Sequence, residues 1–525
     1  MLLWLPWRAA STADRLALVA PNGSRLTYAE LHARADVVAR RLAALGVRAG
    51  DRVGVLLSNG APFAEVVHAC MRLGAVLLPL NLRLTPGELA WQVRDAGARV
   101  VLYDVSTESK IAELRAIAPD VATARSDDAS TAVSDRADSG LAGAGSAETT
   151  RTENGSAAST ALRERADPHE PLAIVYTSGT TGAPKGAVLS YSNFWWSAVG
   201  SALNLGVHSD DRWLAPLPLF HVGGLSVLTR SAIYGTTAVL HDGFDAERVS
   251  AAIDDDGITL VSLVPTMLHR LLDARGDRPI PSSLRCVLLG GGPAPRALLE
   301  RCARLGVPVS QTYGLTECCS QVATLAPSDA LKKLGSAGRA LYPNELRLAT
   351  ADGADPSPGG GGEILVRGPV VTSGYWNRPD ATASAFVDGW FRTGDFGMLD
   401  EDGYLYVLDR REDLIVTGGE NVYPAEVEGV LLAHPSVAEA AVIGVADAEW
   451  GQRVVAVVRL ADGADRAVVE EFQSHCRASL AAYKVPREVR ISGEALPRTA
   501  SGKLRRGALR ESTPESIGSI KPRAR

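Results

Sequence analysis

Long apolar runs are missing from this 525-residue chain: no stretch reaches the roughly 18 uninterrupted apolar residues that a membrane-crossing helix requires. The apolar opening, MLLWLPWRAA, has no basic stretch before it and is too short for a secretory leader. Leu2 to Trp7 are therefore expected to clamp the N-terminus onto the domain, without stable membrane insertion. Cysteine is scarce. The six, at 70, 286, 302, 318, 319 and 476, form neither a CxxC pair nor a regular framework, which excludes a disulfide scaffold and fits a reducing, cytoplasmic setting. A charge excess is also lacking. With 54 Lys and Arg against 60 Asp and Glu, a net charge of -6 and interspersed signs, the chain has no basic stripe for nucleic acid. No internal repeat is present, and the oligomeric state is left open, a homo-oligomer included.

What is there is ordinary for a globular protein of two or more domains: 46% hydrophobic and 22% charged residues. Helix and strand patterns alternate from residue 26. TYAELHARADVVARRLAALG carries a capping box at Thr27 and Glu30, DRVGVLL reads as a buried strand, and TPGELAWQVRDAG is a second capped helix with Pro86 at its first position. Such alternation implies parallel sheets covered by helices. The rhythm breaks over 106–170, where Ala, Ser, Thr, Gly, Asp and Glu dominate. Residues 124–162 are read as a disordered surface insertion, with a short helix near Lys110 to Ile117. Later texture changes to short strands with turns at Asp388-Gly389 and Asp402-Gly403, and a compact α+β unit is expected after residue 409. The expected parts are 1–409, 410–512 and a tail, 513–525.

One loop asks for an anion. In YTSGTTGAPKG, residues 176–186, Gly179, Gly182 and Gly186 permit close backbone approach, Thr177, Ser178, Thr180 and Thr181 add hydroxyl donors, and Lys185 adds a charge. Pro184 before the lysine and Gly186 after it exclude a Walker A loop. Composition alone would favour a flexible surface loop.

Four further stretches follow in order: QTYGLTE, RTGD, DRREDLIVTGGENVYPAEVE and PRTASGKLRR. Together the five resemble the adenylate-forming superfamily of acyl-CoA ligases, luciferases and peptide-synthetase adenylation domains. The resemblance covers nearly all of the chain outside 106–170 and the last dozen residues. It implies an α/β fold of the acyl-CoA synthetase-like kind, a large domain of layered sheets with a small β-barrel-like part, and a small mobile α+β domain. It also implies ATP, Mg²⁺ and coenzyme A as cofactors, and a small-molecule carboxylic acid as substrate.

The same resemblance assigns roles. The 177–185 loop wraps the β- and γ-phosphates. Gly290, Gly291 and Gly292 offer bare backbone to adenine, and Tyr313, between Thr312 and Gly314, stacks on it. Thr316 meets the α-phosphate, Glu317 holds magnesium, and Asp395 with Arg410 grips the ribose. His221, near Gly224, gates the acyl carboxylate, and Lys503 bridges carboxylate and α-phosphate oxygens during adenylation. Glu412 falls at the hinge of the small domain, and Gly418 and Gly419 face the incoming pantetheine. Taken singly, each is an ordinary core aromatic, turn residue or surface charge. A non-catalytic relative would lack Glu317 or Lys503, and both are present.

Within the superfamily, LRCVLLGGGPAPRALLERC and YGLTECCSQVATL are similar to ligases whose aromatic acid carries a second carboxylate. That implies a cation in the acyl pocket, for which Arg230 is the candidate, with Ser320 and Gln321 as polar neighbours. A general medium-chain or aryl acyl-CoA ligase would instead have a wholly apolar pocket.

Overall fold

A computed structural model of the chain describes residues 1–127, 161–177, 184–292, 294, 296–350, 353–356, 360–409, 415–422, 424–461, 464, 469–497, 506–511 and 518–520. Two helix-covered sheets form its bulk. The first runs Ala122–Arg125, Ala98–Tyr103, Arg52–Leu56, Val76–Pro79, Pro171–Thr177, Lys185–Ser190, parallel except for its last pair. The second has nine strands, with Leu16–Val19, Thr237–Leu240, Arg212–Ala215, Leu260–Leu263, Cys286–Leu289 and Val309–Leu315 parallel at its centre. Central strands are apolar throughout: Leu260–Leu263 and Cys286–Leu289 are buried at every position. That is the pattern of a sheet covered on both faces.

The helices form where the periodicity places them. Tyr28–Ala44 and Pro86–Ala96 start at Thr27 and Thr85, each with a complete capping box to the Glu three residues on. The first buries Leu31, Ala35, Ala39 and Leu42, one stripe at helical spacing. Each fully buried Leu contributes about 1.5–3 kcal/mol. The opening segment does clamp: Leu3, Trp4 and Leu5 are buried, and the Leu3 N–H donates to the Glu164 carbonyl at 2.9 Å. Leu2 and Trp7, expected inside the clamp, are instead exposed.

A five-stranded antiparallel sheet, Glu345–Ala349 to Leu405–Asp409, supplies the β-rich part, with the hairpin at Asp388-Gly389 turning through left-handed backbone. Another sheet is built on Ile415–Thr417, Glu420–Val422, Val437–Asp447, Gly451–Leu460 and Glu488–Ser492, and the helices Pro424–Leu432 and Val469–Ser479 help to close its own core. Gly518–Ile520, read as tail, adds an edge strand to it. No helix among the described residues is long and apolar enough to cross a membrane.

One boundary moves. Ala124 and Arg125, assigned to the insertion by composition, finish a parallel strand against Leu102 and Tyr103, and the Arg41 guanidinium donates to the carbonyls of Arg125 and, at 2.9 Å, Ser126. At the other end Leu162 packs on the main core. The low-complexity residues 128–160 lie outside the described residues. Excising 128–160 behind a Gly/Ser linker should leave the thermal midpoint unchanged, because that composition offers too little apolar area to bury. Excising 124–162 should cost about 1–3 kcal/mol through the lost strand end and Arg41 contact. Matched thermal melts of the two deletions check this, and equal midpoints would contradict it.

Candidate active site

The two large sheets, the five-stranded sheet and the last sheet meet around a cavity of about 340 Å³. Much of its wall comes from segments at the carboxyl ends of parallel strands, where α/β sheets expose groups to a ligand. Pro171–Thr177 ends in Thr177, Cys286–Leu289 leads to Gly290 and Gly291, and Val309–Leu315 carries Thr312 and Gly314 and leads to Thr316 and Glu317. Lys185, Asp395, His221, Gly224, Arg230, Ser320, Gln321, Gly418 and Gly419 also reach the cavity. Two glycines are fixed by packing whatever the ligand. A Cβ at Gly314 would stand 1.6 Å from the Ser320 carbonyl oxygen, and one at Gly224 would stand 2.2 Å from that of Pro218.

Glu317 forms one cluster. Its Oε1 accepts from the Tyr375 hydroxyl at 2.9 Å and lies 3.5 Å from Thr177 Oγ1, and Lys185 Nζ stands 5.3 Å over the Tyr375 ring. Among the described residues no group of three His, Cys, Asp or Glu side chains could cage a metal. A single carboxylate with hydroxyl neighbours suits magnesium that arrives on phosphates, since this ion keeps water and phosphate oxygens and takes only one or two carboxylates.

Asp395 forms a second cluster. Its Oδ2 accepts from the Tyr313 hydroxyl at 2.7 Å. Tyr313 is 3% exposed and is not part of the cavity wall. Burial, then the Asp395 charge, pushes its phenol well above the ordinary value. The residue expected to stack on adenine is thus buried, with its hydroxyl on the Asp395 carboxylate. Gly292, expected beside Gly290 and Gly291, likewise misses the cavity wall; a Cβ there would meet Val416 Cγ1 at 3.7 Å.

Arg230 is 2% exposed and lies on the helix Val222–Tyr234 that follows His221. Its Nη2 donates to Ser197 Oγ at 3.0 Å, and Ser197 Oγ donates to the Cys319 carbonyl at 2.7 Å. The guanidinium carbon sits 5.7 Å over the Trp213 ring, and Nε has no partner. No carboxylate among the described residues pairs with it. Burial pushes its pKa below the ordinary value, yet a guanidinium remains charged at neutral pH. Cys319 and Ser320 both take left-handed backbone, φ 49° and 93°, which brings Ser320 to the cavity wall. Gln321 Nε2 donates to Thr324 Oγ1 at 2.9 Å, leaving Oε1 buried without a partner.

The last sheet closes the cavity. His221 Nε2 is 3.3 Å from Glu420 Oε2, and Arg83 Nη1 donates to Glu420 Oε1 at 2.6 Å. Burial would raise the Glu420 carboxyl, but His221, Arg83 and Lys484 outweigh it and hold the group below its ordinary value. Glu420, Arg83, Tyr375 and Lys484 line the cavity and were not singled out from the sequence. Glu420 lies inside the quoted GGENVYP stretch, where a residue after two glycines could have been weighed. Lys484, in AYKVPREV, carries no local signal. Ser178, Gly179, Thr180, Thr181, Gly182, Arg410, Glu412 and Lys503 lie outside the described residues.

The chain matches the AMP-binding enzyme family over residues 5–376 and the C-terminal domain of AMP-binding enzymes over 426–503. It is 47% identical to a 2-succinylbenzoate–CoA ligase of Geobacillus kaustophilus, with 98% of each chain covered. It is similar to a double mutant of the o-succinylbenzoate CoA synthetase of Bacillus subtilis bound to a product analogue, at 41% identity, 99% coverage of both chains and a TM-score of 0.87. The same synthetase in complex with its acyl-adenylate intermediate gives 42% identity, coverage of 98% of this chain and 99% of that one, and a TM-score of 0.71. Matched along both its parts, this chain belongs to the AMP-binding enzyme family.

Proposed function

We propose that the chain is an ATP-dependent acid–thiol ligase that converts 2-succinylbenzoate to 2-succinylbenzoyl-CoA through an acyl-adenylate, a step of menaquinone biosynthesis. The observation that carries the choice of acid is Arg230: a buried guanidinium with no counter-carboxylate among the described residues, at a cavity wall, is the complement of a second carboxylate on the substrate. A ligase for simple fatty or aryl acids would gain nothing from that charge and would bear its desolvation cost. The relatives with this activity agree with the reading. Six free, buried cysteines support a cytoplasmic setting.

In the first half-reaction an oxygen of the substrate carboxylate attacks the α-phosphorus of ATP, and pyrophosphate leaves with the electron pair of the broken P–O bond. Lys185, the hydroxyls of the 177–181 loop and Lys503 are assigned to phosphate and carboxylate oxygens, so catalysis is positioning and charge neutralisation. Magnesium held through Glu317 would neutralise phosphate charge. Asp395 and Arg410 are assigned to the ribose hydroxyls, and Gly290 and Gly291 give adenine a flat backbone wall. In the second half-reaction the coenzyme A sulfur attacks the carbonyl of the mixed anhydride and AMP leaves. His221, whose Nε2 donates to Glu420 Oε2 at 3.3 Å, is assigned to take the thiol proton at Nδ1, and the Gly418–Gly419 turn is assigned to the path of the pantetheine. Glu412 is assigned as the hinge on which the small part turns between the two steps.

Replacing Lys503 by Ala should lower adenylate formation, read as pyrophosphate release, by about 10²–10³-fold while sparing thioester formation from supplied adenylate. Equal loss in both halves would remove the lysine from the first step.

Arg230→Ala would leave the substrate's ring carboxylate buried and unpaired, at a cost of about 2–5 kcal/mol, or roughly 30-fold or more in kcat/KM. An analogue without that carboxylate should be a poor substrate of the native enzyme and lose little more in the variant. Measuring kcat/KM for both compounds on both proteins completes the cycle. Equal losses would take Arg230 out of recognition, and a native preference for octanoate would reject the dicarboxylate assignment.

A further inference from the structure

A helix capping box needs one carboxylate oxygen, and at Glu88 the second oxygen is also in use. Glu88 Oε2 accepts from the Thr85 N–H at 2.8 Å and the Thr85 hydroxyl at 2.9 Å, which completes the cap of the helix Pro86–Ala96. Its Oε1 accepts from Lys484 Nζ at 2.9 Å, across 396 positions of sequence. Lys484 also donates to Glu426 Oε1 at 2.7 Å, and it is 3% exposed. Lys484 and Glu426 sit on the same C-terminal part, on the turn Ala482–Lys484 and the helix Pro424–Leu432. Glu88 belongs to the first sheet's helical cover. The lysine is therefore a buried cation shared between one carboxylate that travels with it and one that does not. Its neighbours Ala481 and Tyr483 pack into the apolar cluster of Leu84, Leu89 and Ala90, so ion pair and apolar contact seat the same segment.

Two arrangements of a relative are distinguishable by likeness. At almost equal identity, this chain superposes at a TM-score of 0.87 on the product-analogue complex and 0.71 on the adenylate complex of one synthetase. The arrangement described here, with Lys484 on Glu88 and Glu420 on Arg83 and His221, is thus nearer in overall likeness to the product-analogue complex.

We propose that Glu88 is a positioning residue for the thiol-transfer half of the reaction: through Lys484 it holds the C-terminal part in the arrangement that closes the cavity beside His221. The proposal rests on the two-step ligase reading above. When the C-terminal part turns away, Lys484 keeps Glu426 and loses Glu88, so the charge on Glu88 favours one arrangement only. Burial opposes the ammonium, but the carboxylates of Glu426 and Glu88 outweigh it and raise the Lys484 pKa, keeping the cation charged.

Glu88→Gln separates the two duties of this side chain. An amide oxygen still completes a capping box, which leaves the amide N–H₂ facing the Lys484 ammonium, donor against donor. Thioester formation from supplied adenylate should fall about 5–150-fold, the usual size of coupling between two states, while pyrophosphate release in the adenylation half is unchanged. Thr85→Ala, which weakens the cap and spares the Lys484 contact, should lower the thermal midpoint without splitting the half-reactions. In a Lys484→Gln background, Glu88→Gln should have no further effect on thiol transfer. Equal losses in both halves, no loss in either, or an undiminished effect in the Lys484→Gln background would each overturn the proposal. A native protein that forms no thioester from any acid of a panel including 2-succinylbenzoate, octanoate and benzoate would instead reject the ligase reading.

Discussion

One buried carboxylate, Glu420, draws three parts of the chain together. Left alone in the interior it would cost several kcal/mol. Here its two oxygens meet Arg83, from the loop after Val76–Pro79, and His221, from the start of the helix that carries Arg230. Both partners belong to the large sheets and Glu420 belongs to the last one, so the carboxylate is satisfied only while the sheets are apposed. The neighbouring turn at Gly418–Gly419 is then pressed against Val264, where a Cβ on Gly419 would come within 3.4 Å of Cγ2. The closed chamber beside His221 is a consequence of satisfying this one charge.

Opposite logic governs Arg230. Glu420 has its counter-charges built in, whereas Arg230 has only hydroxyl and aromatic company. Ser197 ties the guanidinium to the Cys319 carbonyl, and the same carbonyl belongs to the left-handed pair Cys319–Ser320. Non-glycine residues in that region cost about 1–3 kcal/mol each and persist where surroundings over-determine them. Here the surroundings are a hydrogen-bonded chain that ends at the Arg230 guanidinium, so polar pocket shape and pocket charge are set by one small network.

How much of this is written locally in the sequence depends on the range of the interaction. The capped helices at Thr27 and Thr85 were legible because cap and periodicity act within four residues. The cavity glycines were legible because close approach leaves few alternatives to glycine. Ala124 and Arg125 were misread because an edge strand tolerates Thr and Arg, and the composition there does not differ from the insertion that follows. Tyr313 was legible only in part, because a tyrosine in a glycine-rich turn reads equally as a stacking face or as a buried donor, and its Asp395 partner lies 82 positions away. Arg83 and Lys484 carried no local signal, and Glu420 only its place after two glycines: each acquires meaning from a partner hundreds of residues away.

The two half-reactions make conflicting electrostatic demands on a single cavity, and the placement of Glu420 shows which demand this arrangement meets. ATP brings several negative charges, and a carboxylate at the wall opposes their entry even when partly neutralised, because unit charges about 4 Å apart interact by about 4 kcal/mol at an effective dielectric of 20. A thiol that must lose a proton has the reverse need: a carboxylate that takes the Nε2 hydrogen of His221 fixes the ring with Nδ1 as the proton acceptor. The His221–Glu420 pair therefore suits the step in which the triphosphate has already been reduced to an adenylate. Because Glu420 rides on the last sheet, while Glu317, Lys185 and Asp395 all belong to the other sheets and their loops, one displacement can withdraw the carboxylate without disturbing those three groups. Separating these charges onto different sheets lets one cavity serve first an anionic substrate and then a nucleophile that must be made anionic.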